Sequence, residues 1–188
     1  MGGAQALVKL GRPKARYAVI GEPTGMRPVN AHKGIMMETV RLSGRSGHSS
    51  DPSLGVNALE GMNKVIHDVL AWREELQAKH RDPQFQVPVP TLNLGHIHGG
   101  DNPNRICGSC ELQIDIRPLP GMKIDDLRHE MQNRLQKVLH ETGITFKTVA
   151  LFDGVDATET DKHAELVKFA ENMTNTESQA VAFGTEAP

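Results

Sequence analysis

The sequence predicts an α+β protein whose centre is a ferredoxin-like β-α-β-β-α-β unit between residues 33 and 151. Three observations support this class. Four short apolar or alternating runs are typical of strands, and two longer stretches repeat apolar residues every three or four positions, as helices do. These six segments also follow one another in the order of that fold. We therefore expect an antiparallel sheet with both helices on one face and a polar opposite face.

The first strand is expected over residues 33–42, and the longest helix is expected to end near Lys79. Asp51 is a suitable N-cap for this helix, and Pro52 suits its first helical position. The apolar stripe predicted to face the core comprises Leu54, Ala58, Met62, Val65, Val69, Trp72 and Leu76. Gly61 weakens the helix but permits another element to approach closely.

The second strand is expected over 91–98, with Leu92, Leu94 and His96 on one face. The third, over 111–117, alternates cleanly between apolar and polar residues. A second amphipathic helix is expected over 124–141 and a fourth strand over 144–151. Such a sheet has an edge strand that must be covered or paired, so we hypothesise that this unit forms a homodimer.

Two further segments lie outside this unit. A short helix over 1–14 and an apolar strand over 15–20 precede it. Glu22 follows that strand, where open α/β sheets place ligand-binding groups, although a solvated loop charge is an equal alternative. A polar loop, a helix from Asp161 to about Met173 and a strand over 179–183 follow the unit.

Composition describes an ordinary globular protein. The 188 residues are 38% hydrophobic and carry a formal net charge of -2, so nucleic-acid binding has little electrostatic support. No apolar run is long enough to cross a membrane, and no signal peptide is visible. Two cysteines argue against a disulfide scaffold, so we expect a cytoplasmic protein without membrane or nucleic-acid partners.

Two short motifs resemble metal or redox sites. Cys107 and Cys110 have the spacing of such sites, but there is no second cysteine pair, and a strand rather than a helix follows. His96 and His98 lie at the end of a predicted strand before a Gly-Gly turn. We interpret both pairs as incidental.

The loop Ser46-Gly47-His48-Ser49-Ser50-Asp51-Pro52 lies between the first strand and the long helix. Loops carried by rigid elements often hold catalytic groups, and this one presents a histidine between small residues. The alternative is a simple strand-to-helix turn.

Five motifs in one register resemble a known family. They are Gly21-Glu22-Pro23-Thr24, the His48 loop, Thr91 to Gly100, Asn104-Arg105-Ile106-Cys107 and Asp115-Ile116-Arg117-Pro118-Leu119-Pro120-Gly121. Together they resemble the acetylornithine deacetylases, in the dinuclear zinc aminoacylase and carboxypeptidase family that includes succinyl-diaminopimelate desuccinylase.

The resemblance implies that a lid domain at 29–152 is inserted between partial pieces, 1–28 and 153–188, of a zinc-peptidase-like α/β catalytic domain. It also implies dimerisation through the lid. By resemblance, Glu22 ligates one of two Zn²⁺ (or Co²⁺) ions, and His48 reaches the partner subunit's active site as an oxyanion donor. Asn104 and Arg117 bind an N-acylated amino acid, Arg117 through its α-carboxylate.

The sequence departs from the family pattern where the other metal ligands are expected. The family's Gly-His-x-Asp motif, its bridging aspartate, its catalytic Glu-Glu pair and its last histidine ligand have no counterpart in this register, since Glu74-Glu75 lies within the predicted long helix. We therefore expect an internal fragment that is inactive alone and holds no stably bound metal, from a parent that deacetylates N2-acetyl-L-ornithine in arginine biosynthesis. A desuccinylase-type deacylase and a non-catalytic dimerisation module are the alternatives.

Overall fold

A computed structural model describes residues 6–7, 9–12 and 14–184. The predicted helix over 1–14 lies partly outside these residues. The strands are β1 (Val29–His32), β2 (Met36–Ser43), β3 (Thr91–Gly99), β4 (Ser109–Arg117), β5 (Thr145–Ala150), β6 (Thr158–Glu159) and β7 (Gln179–Val181). The helices are α1 (Ala58–Lys79), α2 (Ile124–Val138) and α3 (Glu165–Thr174), and a 3-10 turn spans Pro52–Leu54.

The large sheet has the strand order β3-β4-β2-β5, and all its neighbouring strands are antiparallel. This order and the connections through α1 and α2 confirm the predicted ferredoxin-like unit. Its core lies between the sheet and the two helices, and Trp72, Met36 and Met131 are almost completely buried within it. The predicted apolar stripe of α1 is buried from Ala58 to Leu76.

The start of the long helix differs from the prediction. Asp51 caps the 3-10 turn, where its Oδ1 accepts a hydrogen bond from the Ser53 N–H at 3.0 Å. Helix α1 begins only at Ala58, and Asn57 caps it by accepting from the N–H groups of Leu59 and Glu60. Because Leu54 lies in the 3-10 turn, its side chain is exposed rather than part of the core stripe.

An irregularity in β3 changes the predicted face of His96. Leu94 is opposite Ile114, but His96 is opposite Gln113, so Gly95 forms a bulge between them. The extra residue moves His96 from the face of Leu94 to the polar face of the sheet. The prediction that Leu92, Leu94 and His96 share one face is therefore wrong for His96.

A second, smaller sheet has the order β6-β1-β7 and joins a strand from before β2 to two strands from after β5. Strand β1 pairs antiparallel with β6 and parallel with β7. Next to it, Ile35 and Val155 exchange two backbone hydrogen bonds of 2.8 and 2.9 Å. The predicted boundaries 1–28, 29–152 and 153–188 stay a prediction.

The segments outside the lid depart most from the predictions. Residues 15–20 form no strand, and Val19 is 78% exposed, because no neighbouring strand of the described chain pairs with this segment. Helix α3 begins at Glu165 after Ala164, so Asp161 does not cap it. Helix α2 ends at Val138, before the predicted residue 141. Strand β6 lies within the predicted polar loop, and the sequence predicts no element over residues 29–32, where β1 forms.

Candidate functional site

The His48 loop is closed at its base by short backbone contacts. Arg45 and Val56 exchange two backbone hydrogen bonds, of 2.9 and 2.8 Å. Gly44 precedes them, and a Cβ there would overlap the carbonyl oxygen of Val56. Only glycine therefore fits where β2 enters the loop.

The loop lies beside the segment that carries Asn104. The Ile106 N–H donates to the Gly47 carbonyl at 2.8 Å, and the Ser49 N–H donates to the Asn104 carbonyl at 3.0 Å. The side chains of His48 and Asn104 are both exposed. Two of the four predicted site residues thus lie on neighbouring loops at one end of the large sheet.

The imidazole of His48 is held by its own loop. Its Nδ1 lies 2.7 Å from the Ser50 Oγ and accepts a hydrogen bond from the Ser50 backbone N–H at 3.3 Å. A contact between residues two positions apart is a local turn feature. The spacing of a serine two positions after the histidine was visible in the sequence, but Ser50 was not predicted as a site residue.

The Asn104 segment has its own local supports. The Asn104 N–H donates to the Asn102 Oδ1 at 3.1 Å, and Arg105 forms an ion pair with Asp101. Asn104 is thus fixed through its backbone, and its side chain stays exposed.

Arg117 lies at the opposite end of the sheet from His48. It is the last residue of β4, whereas Ser109, the first residue, pairs with Ser43 at the entrance to the His48 loop. Eight steps along a strand span about 27 Å. Arg117 is only partly exposed, and its Nε donates to an Asp115 carboxylate oxygen at 3.0 Å. One chain therefore does not bring His48 and Arg117 together.

Glu22 lies outside the lid, in a half-buried position on the irregular segment before β1. With Ile20, His32 and Val167 it lines a cavity of about 310 Å³ between that segment, β1 and α3. The prediction that Glu22 follows a buried strand is wrong, because residues 15–20 form no strand. The His32 Nδ1 lies 2.9 Å from the Lys33 carbonyl oxygen.

Metal-ligating side chains do not cluster in the part of the chain that the structure describes. No group of three or more His, Cys, Asp and Glu residues there has an arrangement that holds a metal ion. Cys107 and Cys110 are buried free thiols, and burial raises the pKa of the Cys110 thiol. Among the described helices, none is long and apolar enough to cross a membrane.

Curated relatives match this chain over nearly its full length. An acetylornithine deacetylase from Pectobacterium atrosepticum is 43% identical over 188 residues, which cover 100% of this chain and 49% of the relative. One from Edwardsiella ictaluri is 44% identical over 170 residues, covering 90% of this chain and 44% of the relative. The chain thus spans about half the length of these relatives.

Solved structures share the fold. An aminopeptidase PepT from Bacillus cereus superposes with a TM-score of 0.66 at 21% identity, covering 98% of this chain and 47% of that chain. A tripeptidase from Staphylococcus aureus gives a TM-score of 0.57 at 17% identity, covering 85% of this chain and 40% of that chain.

The family model described as the peptidase dimerisation domain, M20_dimer, matches residues 30–143. These residues include three of the four strands of the large sheet, β2, β3 and β4, together with helices α1 and α2. Since the match extends over more than half of the chain, this protein belongs to the peptidase dimerisation domain family.

Proposed function

We propose that this chain forms the lid and flanking segments of a cytoplasmic, metal-dependent amidohydrolase that converts N2-acetyl-L-ornithine to acetate and ornithine. The observation that carries this proposal is the 43% identity to an acetylornithine deacetylase over all 188 residues. The two buried free thiols support the reducing compartment.

We propose that His48 donates a hydrogen bond to the developing oxyanion and that Asn104 binds the same substrate. Both side chains are exposed on adjoining loops and are free to meet a ligand from outside the chain. Arg117 would bind the substrate α-carboxylate, because its planar guanidinium offers paired donors to a carboxylate.

A single chain does not supply all these groups to one small substrate, because the ends of β4 are about 27 Å apart. We propose that a homodimer completes the site, with His48 and Asn104 from one subunit and Arg117 from its partner. The edge strands β3 and β5 of the large sheet are available for pairing with a second copy. Sedimentation at micromolar concentration should show a dimer, and a monomer alone would contradict this arrangement.

The proposed metal pair does not fit the residues of this chain alone. Glu22 supplies one carboxylate oxygen ligand of the kind that Zn²⁺ accepts, but among the described residues it belongs to no group of three or more His, Cys, Asp and Glu side chains that could hold a metal ion. In the proposed enzyme the remaining ligands belong to other parts of the protein. No step through the metals is therefore derived from this chain.

Mixing two variants of the full-length enzyme tests the shared site. His48→Ala and Arg117→Ala should each be nearly inactive alone. A mixed dimer then contains one site with an intact histidine and an intact arginine. Random reassociation should restore about a quarter of wild-type activity. No recovery would show that both residues act within one subunit.

The substrate is tested with the same full-length protein. Acetylornithine should be hydrolysed in preference to succinyl-diaminopimelate. The reverse preference would identify a desuccinylase, and no hydrolysis of either with metal added would favour a non-catalytic dimerisation module.

His48→Ala should lower kcat by roughly 10²–10³-fold, the usual loss when one oxyanion donor is removed. His129→Ala is a matched control, since His129 is an exposed histidine on α2. An unchanged kcat for His48→Ala would refute the proposed role.

A further inference from the structure

The two ring nitrogens of His48 have different surroundings. Nδ1 is turned into its own loop, with the Ser50 Oγ at 2.7 Å and the Ser50 backbone nitrogen at 3.3 Å. The ring as a whole is exposed. Nε2 is therefore the nitrogen that remains available to a molecule outside the loop.

The backbone contact assigns the proton on this ring. A backbone N–H only donates, so the Nδ1 that receives it acts as an acceptor. In a neutral imidazole with an accepting Nδ1, the proton is on Nε2. The Ser50 hydroxyl strengthens this arrangement when its O–H also points to Nδ1. His48 thus presents an N–H donor outward.

We infer that Ser50 is a positioning residue for His48: its backbone N–H sets the ring tautomer and its hydroxyl holds the ring orientation, so that Nε2–H faces the substrate oxyanion. This inference rests on the proposed oxyanion role of His48. An oxyanion donor is effective only when it is oriented before the reaction, because reorientation during the reaction costs energy. Ser50 supplies that orientation from two positions along the chain.

The neighbouring serine provides a contrast within the same loop. Ser49 contacts Asn104 through its backbone N–H, and this bond survives a change to alanine. No hydrogen bond of the Ser49 hydroxyl is present among the described residues. Ser49→Ala therefore removes a hydroxyl from the loop without touching the His48 ring.

Nitrogen-15 NMR of the His48 ring in this chain tests the proton assignment without any assay of activity. At a pH where the ring is neutral, we expect the Nε2–H tautomer in the wild type and in Ser49→Ala. We expect Ser50→Ala to increase the rapid motion of the ring. A dominant Nδ1–H tautomer in the wild type, or equal ring mobility in both serine variants, would overturn the inference.

Kinetics of the full-length enzyme provide the second test. Ser50→Ala should lower kcat about tenfold with little change in KM, since an oriented donor acts mainly in the transition state. Ser50→Thr retains a hydroxyl and should restore most of kcat, whereas Ser49→Ala should match the wild type. Equal effects of the two alanine variants would overturn the role of Ser50.

The two proposals fail differently. If His48→Ala keeps full kcat, the oxyanion role itself is wrong, whatever Ser50 does. If His48→Ala loses activity but Ser50→Ala does not, only the positioning role is wrong.

Discussion

Lys33 places a positive charge in the interior, between the two sheets. Only 1% of the residue is exposed, its Nζ donates to the Val89 carbonyl at 2.6 Å, and it lies 5.8 Å from the centre of the Phe85 ring. No carboxylate pairs with it among the described residues. Burial lowers the pKa of this ammonium group below its ordinary value.

This lowered pKa predicts a pH dependence of stability. Above the folded-state pKa and below the ordinary one, the unfolded chain binds the proton that the folded chain has lost. The free energy of unfolding should therefore rise with pH across that window. We expect denaturant unfolding to show the wild type gaining stability relative to Lys33→Met as pH rises towards the ordinary lysine pKa of 10.5. Lys137→Met removes an exposed lysine and should show no such trend. Parallel curves for all three proteins would contradict the prediction.

For single residues, the sequence predicted which side chains lie on exposed loops better than it predicted which residues they contact. His48 and Asn104 are on exposed loops as expected, but their closeness depends on backbone bonds between segments more than fifty residues apart. The burial of Lys33 was not predicted because a lysine at the start of a strand is usually solvated. Ser50 and the His48 ring meet through a turn whose geometry the residue types alone do not determine.

Between elements, an ion pair connects α2 to the centre of the sheet. The Arg128 Nε donates to the Glu38 carboxylate at 2.6 Å, and the Glu38 side chain is only 3% exposed. Arg128 Nη2 also donates to the carbonyls of Phe152 and Asp153, at 3.3 and 3.0 Å. One guanidinium therefore holds the helix, the strand and the segment after β5 together.

Arg128→Met should lower the free energy of unfolding by about 3 kcal/mol, because it leaves a buried carboxylate without a partner. Adding Glu38→Leu should recover much of that loss. Arg41→Met is the matched control, since its partner Glu111 is 26% exposed where Glu38 is 3% exposed, and this pair should contribute at most about 1 kcal/mol. Equal losses for Arg128→Met and Arg41→Met in denaturant titrations would contradict the prediction.

The entrance to the His48 loop depends on one glycine. Gly44→Ala would push a methyl group into the Val56 carbonyl, so we expect a loss of about 1–3 kcal/mol and altered NMR shifts for His48. Gly21→Ala is the control, because nothing lies within 4 Å of a Cβ at that position. Unchanged stability and His48 shifts in Gly44→Ala would show that the loop relaxes freely.

Elements with strong local patterns were predicted well, and elements defined by distant partners were not. Helix α1 and strand β4 follow from periodicity alone. Strands β1 and β6 are four and two residues long, and they exist because segments about 130 residues apart pair with one another. The apolar run at 15–20 has suitable residues but no paired neighbour in the described chain, so composition alone misled the prediction. The Gly95 bulge likewise depends on the register with β4.

For the molecule as a whole, the large sheet and its helices should fold without the flanking segments. Their core cluster includes residues from Met36 to Leu139, and almost all of its buried side chains come from the lid. We expect residues 35–155, expressed alone, to unfold in one cooperative transition with the far-ultraviolet signal of an α+β domain. A broad, non-cooperative transition would show that the small sheet is required.

The paired backbones of Ile35 and Val155 determine how the lid is attached. The chain enters and leaves the lid at this single place, and two hydrogen bonds join the entering and leaving strands. Two further hydrogen bonds lie beside this pair, from the Ile124 N–H to Asp156 and from the Gln84 side chain to Glu159. The lid is therefore fastened to the small sheet at several points around its entrance, and the two sheets cannot separate without breaking these bonds.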